Sequence, residues 1–300
     1  MKIVLTGATG FLGARLVAHL AEEGHEVVLL TRTLQQESRP GVRRVLWDGV
    51  RGGAWVGEID GADAVINLAG EPIAAQRWSP AQKEKILRSR IDATRAVVEA
   101  IRGAVTRPRV LINASAVGYY GDVPEGEVTE ERKPGSGFLA ETCLHWEEEA
   151  AKAKDLGVRV AMMRTGIVLG DGGGALARML VPFRLYVGGP LGNGAQWFPW
   201  IHRDDVVGAL VHVLQTPSLD GPVNTSAPEP VTMRQFCLVL GNVLHRPSWM
   251  PVPAYLLRLV MGEMAVLVLS GQRTVPRKLL ASGYKFRYHN VLQALEALFV

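Results

Sequence analysis

A chain of 300 residues, 48% of them hydrophobic, can bury a sizeable core, and its length suits one large domain or a domain with a lobe attached. The 33 basic and 29 acidic residues leave a net charge of only +4, spread along the chain, which excludes the clustered basic footprint of a nucleic-acid binder. Cys143 and Cys237 stand far apart with no CxxC spacing, so neither a disulfide scaffold nor a zinc site is expected.

"KIVLT" (2–6) reads as a strand at the very start, so no secretory leader is expected and the chain is placed in the cytoplasm. The next segment carries Leu12, Leu16 and Leu20 on one helical face and stops at Gly24. "EVVLLTR" (26–32), "VRRVLW" (42–47), "DAVINLAG" (63–70), "RVLINAS" (109–115) and "VRVAMMR" (158–164) read as further strands. Helical patterns fall between several of them, notably over 79–102, which opens with Ser79 as cap and Pro80 as first helical residue. This alternation predicts an α/β fold, a doubly wound parallel sheet covered on both faces.

After residue 170 the texture turns to Gly, Pro and aromatics, as expected of a lobe lying over a site. Residues 201–214 return to a helix, 221–228 return a strand to the sheet, and 229–300 hold helices around a Pro-rich turn. The expected organisation is interleaved. A dinucleotide-binding domain takes 1–170 plus about 201–228, and a smaller substrate-binding lobe takes about 171–200 plus 229–300. The longest apolar run, "MAVLVLS" (264–270), falls far short of the roughly 20 residues that span a bilayer. No membrane partner is expected.

"TGATGFLG" (6–13) follows the first strand and opens the first helix, with Thr6, Thr9, Phe11 and Leu12 among its three glycines. Gly7 permits a tight turn, Gly10 lets the backbone approach a pyrophosphate, and Gly13 lets helix pack on strand. The helix amino terminus then offers free N–H groups to the phosphates. Strand before and helix after make this a dinucleotide site rather than a structural turn. At the end of the second strand, where an NAD-binding chain carries an acid, this one has Thr31-Arg32-Thr33. Arg32 can fork onto a 2′-phosphate, which predicts NADP(H) over NAD(H); a solvent-facing arginine is the alternative. Asp48 in "LWDG" either accepts from the adenine amino group or forms a turn before Gly49. Leu68, Ala69 and Gly70 in "NLAG" end the fourth strand, where small residues let the backbone approach the cofactor.

With GxxGxxG at 7–13, NLAG at 67–70, a serine strand end at 115, "RTGIVLG" (164–170) and "FPWIHRDDV" (198–206), the chain resembles the extended short-chain dehydrogenases/reductases. "GGPLGNGAQWFPWIHRDDV", "SAVGYYG" and "FLAETCLHWE" are similar to the epimerase-family subgroup of atypical members. The resemblance implies a Rossmann fold and NADP binding. In the wider family a Tyr gives or takes the substrate proton. A Lys four residues on lowers its pKa, and a Ser or Thr orients the carbonyl, the i and i+4 side chains sharing one helical face. Ser115 matches the serine, but Leu139 stands at the Tyr position and Cys143 at the Lys position. A slip to Phe138 and Thr142 restores neither. An activated proton donor is worth ~10²–10⁴ in rate, so the standard mechanism cannot operate as written.

Tyr119 and Tyr120 follow Ser115 closely enough to share its site; packing with one satisfied hydroxyl is the alternative. Cys143 is either a thiol facing the nicotinamide or a small buried hydrophobe. Arg164 either holds a carboxylate or phosphate at the cofactor face or forms an internal salt bridge. Arg184, Gln196, Trp197 and Trp200 are the substrate-side candidates. Asp204 or Asp205 reads as a helix-start residue, with a substrate ligand as the alternative, Asp122 reads as a turn residue, and no metal-ligand spacing occurs. Two functions follow. One is an NADP(H)-dependent oxidoreductase or epimerase acting on a small carbonyl or hydroxyl compound, sugar-like ones included, with Ser115 and Tyr119 or Tyr120 as catalytic residues. The other is a non-catalytic NADP(H)-binding sensor or scaffold, because of Leu139 and Cys143. Either would work as a monomer or homodimer.

Overall fold

Strands made of unbroken aliphatic runs are stable only when both of their faces are covered. In the computed structural model, which describes residues 1–34 and 38–300, such runs form β1 (Lys2–Thr6), β2 (Glu26–Thr31), β4 (Ala64–Asn67) and β5 (Val110–Ala116), while β3 (Val42–Leu46, VRRVL) is a partly exposed edge strand. Shorter or later strands are β6 (Val123–Val128), β7 (Arg159–Thr165), β8 (Ile167–Leu169), β9 (Trp197–Phe198), β10 (Trp200–His202), β11 (Gly221–Thr225), β12 (Val231–Thr232) and β13 (Gln272–Thr274). Seven of them make one sheet in the order β11-β7-β5-β4-β1-β2-β3, every neighbouring pair parallel.

The helices, in chain order, begin with α1 (Phe11–Glu22), α2 (Val56–Ile59), α3 (Pro80–Gly103) and α4 (Phe138–Ala151). They continue with α5 (Gly174–Arg184), α6 (Arg203–Gln215), α7 (Met233–Val243) and α8 (Ala254–Met261). Then come α9 (Val266–Leu269), α10 (Arg277–Ala281) and α11 (Val291–Phe299). Strand residues alternate between faces. Ile3 and Leu5 pack with Leu16 and Leu20 of α1 and Leu210 of α6. Val4, Val28 and Leu111 pack on the opposite face with Val97 and Ile101 of α3 and Ala150 of α4. A separate apolar cluster joins Leu176, Phe183, Trp200, Phe236, Leu240 and Leu295, from the segments after residue 170. Among the described residues, no helix is long and apolar enough to cross a membrane.

Chain order reverses between β1 and β4, and ligands of open α/β sheets bind outside the carboxyl ends of strands at such a point. The register lines up polar side chains at those ends. Thr6 pairs with Asn67 and Asn67 with Asn113, while Ser115 pairs with Arg164 and Arg164 with Asn224.

Helix α6 is fixed by its first turn. His202 caps it, its Nδ1 accepting from the Asp204 amide at 3.1 Å while its ring lies on Tyr288. Asp204 accepts from Arg15 Nε of α1 at 2.9 Å, and Asp205 accepts the amides of Arg287 at 2.7 Å and Tyr288 at 3.0 Å. Among the described residues, the buried His202 Nε2 finds no hydrogen-bond partner, and burial holds the imidazole pKa down at about 4. Unfolding returns it to its ordinary value near 6.5, so the unfolded chain takes up the proton first as pH falls. Stability tied to neutral His202 is therefore complete above about pH 6.5 and declines toward pH 4, by on the order of 3 kcal/mol. His202→Asn keeps a capping oxygen but removes the titration, so its melting temperature should fall less than the wild type's between pH 7 and pH 4.5.

Candidate cofactor site

The turn between β1 and α1 forms the floor of the cleft. Gly7 lies at φ +69°, and a Cβ there would come within 2.5 Å of the Leu68 carbonyl oxygen. A Cβ at Gly13 would come within 2.3 Å of the Gly7 oxygen, so only glycine lets the helix pack this close to the turn. At Gly10, by contrast, an added Cβ would meet only the Gly7 oxygen, at 3.3 Å, which leaves the outer side of the backbone open. Gly10 caps α1 with no side-chain hydrogen bond and no acid in the first turn. The first amides of α1 are thus free for an anion, and a pyrophosphate fits the position. Thr9 and Gly10 are exposed, while Leu12 packs against the sheet cluster. The Phe11 ring lies under the Arg203 guanidinium at 5.2 Å and beside Gly170, Gly173 and Gly174.

Thr6 joins this turn to the end of β4. Its hydroxyl donates to Asn67 Oδ1 at 2.6 Å and accepts from the amides of Leu68 at 3.1 Å and Ala69 at 3.2 Å. Asn67 in turn donates to Thr94 Oγ1 at 2.9 Å and Asn113 Oδ1 at 2.6 Å. Buried polar groups are tolerable only when satisfied in this way, and the row holds the NLAG loop in place. On the adenosine side, Arg32 is exposed at the end of β2. Asp48 Oδ1 accepts the amides of Val50 at 2.9 Å and Arg51 at 2.7 Å, which hold the carboxylate below its ordinary pKa. That geometry matches the turn-forming alternative for Asp48.

A second polar row dominates the other side of the switch point. Arg164 donates from Nε to Glu147 Oε1 at 2.8 Å and from Nη2 to Oε2 at 2.7 Å, both side chains being buried. Burial alone would lower the Arg164 pKa, but the hydrogen bonds and charge of Glu147 raise it above its ordinary value. Arg164 thus makes the internal salt bridge, one of its two readings. Ser115 donates its hydroxyl proton to the same Glu147 Oε1 at 2.6 Å. Arg164 Nη1 donates to the Tyr120 hydroxyl at 2.9 Å, and that hydroxyl donates to Asn224 Oδ1. Desolvation pushes Tyr120 up to about 12, and it raises Tyr119, whose ring stacks on Arg164 with the guanidinium 3.5 Å from the centroid. Glu130, also buried, accepts the amides of Asn224 at 3.2 Å and Lys278 at 3.1 Å.

Helix α4 presents Leu139, Cys143 and Glu147 at successive i+4 positions, hence on one face. The loop after β5 closes on it. A Cβ at Gly118 would sit 3.3 Å from Leu139 Cβ and 4.0 Å from Cys143 Sγ. Burial raises the Cys143 thiol to about 11, the behaviour of a small buried hydrophobe rather than a reactive thiolate. The substrate-side candidates disperse. Gln196 donates to the Leu191 and Val268 carbonyls at 2.9 and 2.7 Å, and Trp197 donates to Pro124 O at 3.1 Å. Trp200 is fully buried with its indole N–H on Glu229 O, and Arg184 is exposed at the end of α5. Asp122 accepts the Gly271 amide at 3.0 Å. The sequence reading missed Glu147, Glu130 and Asn224. Of these only Glu147 carried a signal, two helical steps beyond Leu139.

A glycine turn, an open helix terminus and a switch point define a dinucleotide-binding α/β protein. The chain belongs to the NAD dependent epimerase/dehydratase family, whose model matches residues 3–225; a Domain of unknown function (DUF1731) matches residues 252–298. It is 44% identical to the epimerase family protein SDR39U1 homolog, chloroplastic, of Arabidopsis thaliana, over 99% of this chain and 86% of that one. It is 39% identical to the epimerase family protein YfhF of Bacillus subtilis, over 99% and 98% of the two chains. The crystal structure of human epimerase family protein SDR39U1 (isoform2) with NADPH superposes with a TM-score of 0.89 at 34% identity, covering 99% of both chains.

Two substitutions separate cradle from network. Gly13→Ala should abolish measurable dinucleotide binding while the chain stays folded, because its methyl displaces the Gly7 carbonyl; titration calorimetry beside a thermal melt reads both. Glu147→Ala strands a buried guanidinium and should cost about 3–5 kcal/mol in a denaturant melt.

Proposed function

We propose that the protein binds NADP(H) and acts through occupancy of that site, as a redox-state sensor or scaffold, rather than by the family's tyrosine-based proton transfer. One observation carries this reading: the protons of Ser115 and Tyr120, two of the groups expected to handle one, are already committed. Leu139 has no proton to give, and Cys143 is buried with a raised pKa. The Ser115 proton lies on Glu147 at 2.6 Å and the Tyr120 proton on Asn224. A hydrogen bond to a carboxylate is roughly twice as strong as a neutral one, so a substrate carbonyl competes poorly for Ser115. Tyr120, with its pKa pushed to about 12, is matched to neither role of a general acid–base near neutral pH.

Toward the cofactor the residues fit. Gly7, Gly10 and Gly13 with the first amides of α1 would take the pyrophosphate, and Ala69 and Gly70 would border the nicotinamide half. Exposed Arg32 at the end of β2 would take the 2′-phosphate, which favours NADP(H) over NAD(H). The bound cofactor would supply or accept a hydride. The NADPH held by the human relative supports the same preference.

The second reading, an oxidoreductase or epimerase acting on a small carbonyl or hydroxyl compound, is favoured by one feature. Ser115 occupies the family's serine position, and with its proton on Glu147 its lone pairs can accept from a substrate hydroxyl.

Arg32→Asp removes a charge-assisted contact and adds repulsion, so NADPH affinity should fall about 10–100-fold. NADH affinity should change less than about 3-fold; equal loss of both would remove the 2′-phosphate role. With NADPH or NADP⁺ and a panel of small carbonyl and hydroxyl compounds, turnover should stay at background. Turnover that is lost in Ser115→Ala or Tyr120→Phe would establish the enzymatic reading instead.

A further inference from the structure

Among the described residues, half of the exposed large apolar side chains fall within two stretches, 174–192 and 242–262. The first presents Val181, Leu185, Tyr186 and Val187 at and after the end of α5, with Leu185 67% exposed. The second presents Trp249 and Met250, then Tyr255, Leu256, Leu259 and Val260 of α8. Those four share one helical face. Leu259 is 71% exposed, and α8 buries no residue. Hydrogen bonds join the stretches into one surface. The amides of Trp249 and Met250 donate to the Gly188 carbonyl at 3.0 and 3.1 Å, and the Trp249 indole N–H donates to the Tyr186 carbonyl at 2.9 Å. An apolar patch of this kind marks a site of interaction with a protein or a membrane.

Charge says which. Neither stretch contains an Asp or Glu, while Arg178, Arg184, Arg246 and Arg258 all lie in them. Among the described residues none of the four joins an ion pair; Arg246 lies over the Tyr186 ring at 4.5 Å. A two-fold contact with a second copy would set this patch against itself, four guanidinium groups facing four with no acid between. An anionic partner meets no such repulsion. The backbone adds a second sign. Tyr186 at φ +62° and His245 at φ +52° are the two non-glycine residues with positive φ among the described residues, and both belong to these stretches. A bulky residue held in the left-handed region is unfavourable and is found where function requires it. Here that turn carries an exposed aromatic ring beside Trp249.

We infer that this face docks on an anionic membrane surface, whatever the dinucleotide cradle holds. Helix α8 lies in the interface plane with Leu256, Leu259 and Val260 at the acyl boundary. Trp249, Tyr186 and Tyr255 sit at headgroup level, and the arginines meet lipid phosphates. The expectation of no membrane partner followed from the lack of a spanning segment, and a helix lying on the surface needs none.

The test is flotation of the full chain with phosphatidylcholine vesicles, with and without phosphatidylglycerol. The chain should float with the anionic vesicles and not with the neutral ones. Tyr255→Gln with Leu259→Gln, and separately Arg184→Gln with Arg258→Gln, should each weaken binding about 10-fold or more. All four positions are exposed, so melting temperatures should stay at the wild-type value; either pair serves alone should the other fail to fold. Absence of binding to anionic vesicles would overturn the inference, as would binding that neither pair of substitutions weakens. So would a concentration-dependent dimer, seen by sedimentation, that Tyr255→Gln with Leu259→Gln dissociates, since the occupant would then be a second copy.

Discussion

The bidentate ion pair between Glu147 and Arg164 joins α4 to β7, and most of what is unusual in the cleft follows from it. Burying two charges is expensive, and their attraction repays the cost only when the geometry is good and the remaining lone pairs and protons are satisfied. That condition recruits neighbours. Ser115 donates to Glu147, Tyr120 accepts from Arg164, and Asn224 accepts from Tyr120, so three strands of the sheet are tied through one carboxylate. Tyr119 supplies a ring face against the guanidinium. Ser115, Tyr120 and Asn224 thus complete an internal circuit around the ion pair.

The two halves of the cleft are therefore built on different terms. On the β1 side the constraints are steric: glycines at 7 and 13 fit where no side chain can, and the helix terminus is left open. Thr6, Asn67 and Asn113 satisfy one another beneath it and ask nothing of a ligand. On the β5 and β7 side the constraint is electrostatic, and the groups are spent on one another. The two sides meet at Thr94, whose hydroxyl accepts from Asn67 and from Trp146 of α4, each at 2.9 Å.

How much of this could be read in the sequence follows the range of each signal. The sheet was legible because aliphatic runs and helical periodicity are local, and the cradle was legible because a close approach demands glycine at fixed spacing. Leu139 and Cys143 were legible as gaps for the same reason, since four residues make one step on a helix face. The Arg164 alternatives could not be resolved, because its partner lies 17 residues away on another element and no spacing rule links them. Trp200 looked like a pocket wall because aromatic composition does not distinguish a wall from a core, and its full burial was decided by the distant Phe236 and Leu295.

The α4 face shows how the site was rearranged rather than erased. Leu139, Cys143 and Glu147 form one ladder, apolar at the first step, weakly polar at the second and charged at the third. A tyrosine at the first step would meet Gly118, whose approach to Leu139 leaves little room. A lysine at the second would put an ammonium one turn from Glu147 and beside Arg90, a like charge already half-desolvated. Leu139→Tyr with Cys143→Lys alone would therefore not restore the family's chemistry. The incoming cation faces Arg90 and is drawn to a carboxylate that already holds Arg164 and Ser115.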